Sequence, residues 1–324
     1  MIEPVFRRES LLDIIAFAEA QLAAGAICFA FRVLDPDLGR GRYAGELVTH
    51  DGEPHVHRPF RVWVDLAERL GLRLLTPRGD AGLVRLRFER LEPLDRRQGG
   101  RQGASPEGHA RGSAHAVTER YGRGSAYARI SKLEDPGFAI DLADALGRAR
   151  LPPRPRVLDL GVNTGDELAV VLRASPAIEL VGVDHSASAL AVARARFPAF
   201  QFLEADAGAL ATLGLGTFDL VISLNTLQSP GIDDRQVLRQ IVQHHLAPRG
   251  AVILGLPNAR YRDGELEYGA RMKNFRQPEL GLLVKDVAFY RKYLQQHARQ
   301  VFVTGKHYVL VTAVAAPDPS IGAS

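Results

Sequence analysis

The sequence predicts an α/β fold built on a doubly wound, mostly parallel sheet, with a small α+β domain ahead of it. Three observations carry this expectation. In the second half, apolar strand-like runs alternate with amphipathic helical stretches: RVLDLGV, GDELAVVLRAS, IELVGVD, SALAVARARF, FQFLEAD, FDLVISLN, DDRQVLRQIVQHHL, GAVILGL. Such alternation makes βαβ units, whose strands lie parallel and whose helices cover both faces of the sheet. The final pair, RQVFVTG and HYVLVTAVA, is joined by a tight turn at Gly305-Lys306 and reads as a terminal antiparallel hairpin. Between the first ninety residues and this pattern lies a stretch almost without large apolar side chains.

Taken in order, residues 1–90 read as the small α+β domain, a candidate for substrate recognition. ESLLDIIAFAEAQLAAG has helical spacing, with Ser10 placed to cap it and Gly25 to end it. ICFAFRVL (27–34) is a strand-like aromatic run, and Asp51-Gly52 marks a turn. PFRVWVDLAERLG sets Phe60, Trp63, Leu66 and Leu70 on one helical face, which makes Trp63 a core residue. LRLLTP and GLVRLRFERL complete the unit as strands. Residues 91–124, rich in Gly, Arg, Ser and Gln, cannot bury enough surface to offset the entropy of ordering them, and read as a flexible linker. LEDPGFAIDLADALGRARLPP then opens the main domain, 125–316, with an amphipathic helix that closes before a proline pair. The tail, 317–324, reads as disordered.

Composition bounds the chemistry. With 324 residues, 46% apolar and 24% charged, the chain has ordinary globular proportions. No run approaches the ~20 apolar residues that span a bilayer, and MIEPVFRRES lacks the features of a secretion signal. A cytoplasmic protein with no membrane association is expected. One cysteine, Cys28, excludes an internal disulfide and a metal–thiolate or iron–sulfur cluster. The net charge of +4 leaves room for an anionic partner. Between Arg260 and Lys306 basic residues outnumber acidic ones about two to one, and four of the five lysines lie there.

The segment VLDLGVNTGDEL (157–168) is the candidate cofactor loop. A strand ends around Asp159, a loop carries Gly161 and Gly165, and a helix follows. Glycines let the backbone turn sharply and approach a ligand, and a helix N-terminus offers free N–H groups. A dinucleotide fingerprint needs glycine at relative positions 1, 3 and 6. Here these are Gly161, Asn163 and Asp166, so two fail and a carboxylate stands where a pyrophosphate would sit. No Gly-Lys-Ser/Thr follows, which excludes a triphosphate loop as well. Asp159 instead suits a positively charged ligand. Asp184, 25 residues on, ends the second strand and can accept from ribose hydroxyls; Asp206 ends the third and can accept from an adenine amino group; Asn225 ends the fourth.

In this order, D-x-G-x-N-x-G, the acidic end of the second strand, the aspartate after the third and F-D-L-V-I-S-x-N on the fourth resemble the motifs of class I S-adenosylmethionine-dependent methyltransferases. The resemblance covers about 125–316. It implies a seven-stranded sheet with S-adenosyl-L-methionine across the strand C-ends. It places Asp159, Gly161, Asn163 and Gly165 at the methionine part and near the ribose, Asp184 at the ribose, and His185 near adenine. Asp206 and Ala207 would face the adenine edge, and Asn225 would lie beside the methyl group. Asn163 departs from the glycine that many members carry.

The acceptor is less legible. The fourth-strand loop, NTLQSPG, lacks the Asn/Asp-Pro-Pro-aromatic sequence with which family members hold an exocyclic base nitrogen or glutamine amide. The position of the lone Cys28 excludes covalent cytosine-C5 chemistry. After the fifth strand, Asn258, Arg260, Tyr261, Tyr268, Arg271, Lys273 and Asn274 form a polar, basic and aromatic group where substrate belongs. Interleaved basic and aromatic residues suit RNA or another anionic substrate. Methyl transfer to RNA is therefore expected first, with a small-molecule acceptor or a noncatalytic cofactor-binding partner subunit as alternatives. No catalytic residue is identified and no metal site is expected; His244 and His245 read as surface or helix-end histidines, and His55 and His57 lack an evident carboxylate partner.

Overall fold

Ser10 and Asp13 open the first helix by a reciprocal cap: the Ser10 hydroxyl accepts from the Asp13 backbone N–H at 3.2 Å, and the Ser10 N–H donates to Asp13 Oδ2 at 3.1 Å. The structure is a computed structural model that describes residues 3–80, 82–91, 129, 131–229, 231–262, 265–268 and 280–316. The expected linker and the tail lie outside the described residues, apart from Leu91.

The N-terminal unit consists of α1 (Leu11–Ala23), β1 (Cys28–Leu34), β2 (Leu47–His50), β3 (Glu53–Val56), α2 (Phe60–Arg69), β4 (Leu72–Leu74), β5 (Arg78–Asp80) and β6 (Leu83–Arg90). Strands β1, β4 and β5 all pair antiparallel with β6. β2 and β3 form a hairpin whose turn, Asp51-Gly52, has φ of 49° and 77°, the two positive values a type I′ turn needs. Trp63 is 1% exposed, packed edge-on to Phe31. Phe60, expected on the same buried face, is instead 42% exposed: it is the first helical residue, with no preceding turn to cover it, and Val62 and Ala67 widen the buried face in its place.

The main unit consists of α3 (Pro136–Ala149), β7 (Arg156–Leu160), α4 (Leu168–Ala174), β8 (Glu179–Asp184), α5 (Ala187–Arg196), β9 (Gln201–Glu204), β10 (Phe218–Leu224), α6 (Asp234–Gln240), β11 (Leu246–Pro257), β12 (Ala259–Arg262), β13 (Glu265–Tyr268), α7 (Leu280–Gln296), β14 (Arg299–Thr304) and β15 (Tyr308–Ala315). Among the described residues the large sheet has seven strands in the order β14-β15-β11-β10-β7-β8-β9. β7 to β11 are parallel, while β15 runs antiparallel to both β11 and β14. The chain steps outward from β7 to β9 and returns to β10, so the switch point lies between β7 and β10; ligands of open α/β sheets bind there, beyond the strand C-ends.

Strand alternation divides the core. Leu158, Leu160, Val221 and Leu254 face α6 and α7, joined by Tyr290 and Leu294. Val157, Ile222 and Ile253 face the other side, where Phe138 and Leu142 of α3 and Leu168 and Val171 of α4 cover them. That second cluster continues without a break into Leu11, Ile14, Phe31, Trp63, Leu66 and Phe88 of the N-terminal unit. Helix α3 thus packs between β11 and β15 of the large sheet and helices α1 and α2 of the N-terminal unit, with α4 beside it.

Two local features differ from the sequence reading. The connection after β11 contains the β12–β13 hairpin, which ARYR and ELEY conceal because each alternating run is only four residues long. His245 is 4% exposed rather than a surface residue: a π-helical turn over Ile241–His245 rotates it inward, where Nδ1 lies 2.9 Å from the Gly216 carbonyl. His244 is exposed as expected.

One polar contact between the units is made on α3. Arg69 of α2 pairs with Asp141, whose side chain is 4% exposed. Burial, the leading cause, pushes the Asp141 carboxyl above its ordinary range, and Arg69 works against that shift. A raised folded pKa means the native state holds more protons than the unfolded chain, so stability falls as pH climbs through the window above the ordinary carboxylate value. Arg69→Met removes the opposing charge. It should cost about 2 kcal/mol at pH 7, below the ~3–5 of a fully buried pair because Arg69 is partly exposed. The loss should shrink at pH 5, as Asp141 takes up a proton; urea unfolding at the two pH values measures both.

Candidate functional site

Strand β7 delivers Asp159 to the switch point, and the loop after it turns on three positive φ angles: 83° at Gly161, 47° at Asn163 and 76° at Gly165. The loop is held from the neighbouring strand. Gly161 and Val162 donate to the Val183 carbonyl at 2.7 and 3.2 Å, and Gly165 closes back on Val162 at 2.8 Å. Asp184, 7% exposed at the end of β8, accepts the Asn163 N–H at 2.8 Å through Oδ2 and the Ser186 N–H at 2.9 Å through Oδ1. The Asn163 amide oxygen in turn accepts from the Thr164 N–H at 2.8 Å, which suits asparagine to this left-handed position.

Four strand tips meet here. At the end of β10, Asn225 has φ 63° and donates its N–H to the Gly255 carbonyl at 2.8 Å, while its side-chain oxygen is buried without a hydrogen bond. Thr226 reaches across to the Leu160 carbonyl at 3.0 Å and lies so close to Gly161 that a Cβ there would overlap its hydroxyl. Leaving β9, Ala205 donates to the Asp184 carbonyl at 3.0 Å. Asp206 follows, exposed, capping the next turn through Oδ1 to the Gly208 N–H at 2.6 Å; Ala207 beside it is buried. His185 is exposed, with Nδ1 3.6 Å from Asp184 Oδ1. All nine residues expected at the cofactor therefore cluster at the C-ends of β7, β8, β9 and β10.

The electrostatics centre on Asp159. It is 0% exposed, and neither carboxylate oxygen has a hydrogen-bond partner. Burial raises its pKa well above the ordinary value, and the Glu167 carboxylate adds to the shift, with Lys132 opposing. Glu167, at the head of α4, is 1% exposed and likewise raised by burial, and its Oε1 is unpartnered. Lys132 Nζ lies 3.9 Å from Glu167 Oε2. The sequence reading misses Glu167 and Lys132. In Asp166-Glu167 the pattern shows two acids before a helix, and nothing local reveals that the second is the buried one.

The expected acceptor group is not assembled in the same way. Asn258 is bound into the last hairpin: its N–H donates to the His307 carbonyl at 2.7 Å and its amide to the Lys306 carbonyl at 2.9 Å. The Tyr261 ring lies 6.1 Å from that of Tyr43, and burial raises its phenol well above the usual range while a hydrogen bond with Tyr308 opposes. Arg260 sits on β12 opposite Glu267, and Tyr268 on β13 opposite Ala259. Arg271, Lys273 and Asn274 lie outside the described residues. His55 and His57 are buried, and desolvation lowers both pKa values. Among the described residues no group of three or more His, Cys, Asp or Glu is placed to hold a metal, and no helix is long and apolar enough to cross a membrane.

Residues 158–252 match the family described as "Methyltransferase domain". The chain is 28% identical over 165 residues to a trans-aconitate 2-methyltransferase from Azoarcus sp. (strain BH72), covering 49% of this chain and 62% of that protein. It is 34% identical over 113 residues to the Deinococcus radiodurans protein of the same name, covering 34% and 42%. The chain thus spans less than two thirds of the length of these curated relatives. Among solved structures, an O-methyltransferase family protein from Burkholderia thailandensis aligns with a TM-score of 0.41 at 16% identity, covering 61% of this chain and 64% of that one.

The contact at Gly161 yields a direct test. Gly161→Ala meets both a positive φ and the Thr226 side chain, and should lower stability by about 2 kcal/mol or more. Adding Thr226→Ala should restore part of the loss by removing the hydroxyl. It should not restore all of it, because the Thr226 Cβ would remain 2.8 Å away. Thermal melts of the single and double variants measure the difference.

Proposed function

We propose that this chain, whose residues 158–252 form a class I S-adenosylmethionine-dependent methyltransferase domain, transfers a methyl group from that cofactor to a small anionic acceptor. The observation that carries the cofactor reading is Asp159: a buried carboxylate without hydrogen bonds, beside a glycine turn at the switch point, is a site waiting for a cation. Bound there, S-adenosylmethionine supplies a sulfonium-activated methyl group. Asp159 would take the ammonium of its methionine part, and Gly161, Asn163 and Gly165 would let the backbone approach it. Asp184 spends one lone pair of each oxygen on the loop N–H groups and keeps others for ribose hydroxyls. Asp206, with Oδ1 on Gly208, retains Oδ2 for an adenine amino group, and Ala207 and His185 would flank the base. Asn225 would stand beside the methyl group.

Methyl transfer is an in-line displacement, so the protein's main work is positioning. A carboxylate acceptor arrives already ionised and needs no general base. The tip of β10, NTLQSPG, holds no acid, histidine or lysine to act as one. The relatives named trans-aconitate 2-methyltransferases support a small carboxylic acid as the acceptor class. Tyr261 turns the reading away from RNA: a tyrosine packed against Tyr43 and bonded to Tyr308 is not a free stacking platform. Arg260, Arg271 and Lys273 remain proposed contacts for the acceptor's negative charge.

Incubation with methyl-labelled cofactor and separate pools of di- and tricarboxylic acids, total RNA and protein tests the acceptor. The label should enter the acids as a base-labile ester that releases methanol. Label confined to RNA would reverse the acceptor, and cofactor binding without label in any pool would favour a noncatalytic subunit.

A second prediction concerns pH. Asp159 and Glu167 both have raised pKa values, so the cofactor-free protein loses stability as pH rises through them. A cationic ligand binds the ionised forms. The rise in melting temperature on saturating with S-adenosylmethionine should therefore be larger at pH 7 than at pH 5, and this pH dependence should weaken in Asp159→Asn.

A further inference from the structure

Glu167 and Lys132 have no place in the motifs that mark the cofactor loop, yet the fold brings both to it. Two carboxyl groups, Asp159 and Glu167, are both buried and each feels the charge of Lys132, and three of their four oxygens lack a hydrogen bond. Burying like charges together costs several kcal/mol unless cations complete the set. Lys132, with its side chain 21% exposed, opposes the charge of both acids but lies 3.9 Å from one oxygen of Glu167, beyond hydrogen-bond length.

Nor is Lys132 a surface lysine free to swing away. It begins a 3₁₀ turn, Lys132–Glu134, whose other residues are fixed on independent sides. Glu134 takes a two-pronged bond from Arg58, at 2.6 Å from Nε and 3.3 Å from Nη2, with the Arg58 side chain 2% exposed. Asp135 caps α3 at the Gly137 N–H, 2.9 Å, and lies 3.4 Å from His307. The N-terminal unit and the last hairpin together hold the turn that carries this lysine beside Glu167.

The arrangement is therefore two buried carboxyl groups with one lysine held beside them. We infer that Asp159, Glu167 and Lys132 form a clamp for the zwitterionic amino-acid end of the methyl donor, the two carboxylates taking its α-ammonium and Lys132 its α-carboxylate. The clamp rests on the methyl-donor reading and adds Glu167 and Lys132 to it. It makes the amino-acid end a major source of affinity, and it makes the N-terminal unit, acting through Arg58 and Glu134, a positioning element of the cofactor site. It also disfavours a dinucleotide, whose pyrophosphate would meet two carboxylates.

Titration calorimetry on the full chain separates the parts. The ligands are S-adenosylhomocysteine, its decarboxylated and deaminated analogues, and 5′-methylthioadenosine, which lacks the amino-acid end. The wild type should bind S-adenosylhomocysteine at least tenfold more tightly than methylthioadenosine. Lys132→Met should weaken S-adenosylhomocysteine about tenfold and leave the decarboxylated analogue unchanged, with Lys132→Arg recovering part of the loss. Glu167→Gln should weaken S-adenosylhomocysteine and spare the deaminated analogue. Circular-dichroism melts check that each variant folds; should Glu167→Gln not fold, the Lys132 comparison decides. Equal losses on all four ligands would make Lys132 a structural residue and overturn the clamp, as would no loss at all. Failure of the wild type to bind any adenosyl ligand would instead overturn the methyl-donor reading, and the clamp with it.

Discussion

The close approach of two strand tips governs this structure. β7 and β10 lie side by side at the switch point, and the backbone after β7 passes Thr226 at a distance that no side chain at residue 161 would permit. Because Gly161 has no Cβ and takes a positive φ, the loop can fold back onto β8, where the Val183 carbonyl and the Asp184 carboxylate receive three of its N–H groups. The buried carboxylates, the ligand crevice and the α3/α4 face of the core all follow from this one steric allowance.

A second junction ties the remainder to it. The short turn Lys132–Glu134, with Asp135, touches the glycine loop's helix, the N-terminal unit and the terminal hairpin within four residues. Around it the apolar cluster runs unbroken from the small antiparallel sheet through α3 to the large one. Arg61 against His307, and Lys306 against Asp65 and Glu68, close the same seam from the other side, the last at 2.6 Å. A unit ahead of a cofactor domain can be a loosely tethered appendage; here it forms one wall around α3. Its contacts with the turn before α3 run through packing and a buried ion pair.

Much of this was legible in the chain. The helix from Leu11, the turn at Asp51-Gly52, the buried Trp63 and the strand–helix alternation from β7 onward follow from period, caps and turn residues, which act within a few positions of themselves. The four acidic or amide positions could be read for the same reason: each lies within two residues of the end of a local apolar run. Phe60, His245 and the β12–β13 hairpin were not legible. Phe60 has the spacing of a core residue but lacks cover, His245 is turned inward by a π-helical irregularity with no sequence period, and the hairpin's strands are too short, at four residues each, for their alternation to stand out.

By itself, then, the sequence determined backbone conformation and order: which segments are strands, where glycine must stand, and which residues end up at the C-terminal edge of a parallel sheet. Tertiary structure alone decided which charges are desolvated and what meets them. Asp166 and Glu167 are neighbours in the chain, yet Glu167 is sealed from water while Asp166 pairs with Arg196 at 2.6 Å nearer the surface. Lys132 reaches Glu167 from a turn before α3, and Arg58 reaches Glu134 from 76 positions away. Local patterns encode dihedral angles because these depend on near neighbours. Burial depends on what distant segments pack overhead, and so the charge pattern around Asp159 exists only in the folded chain.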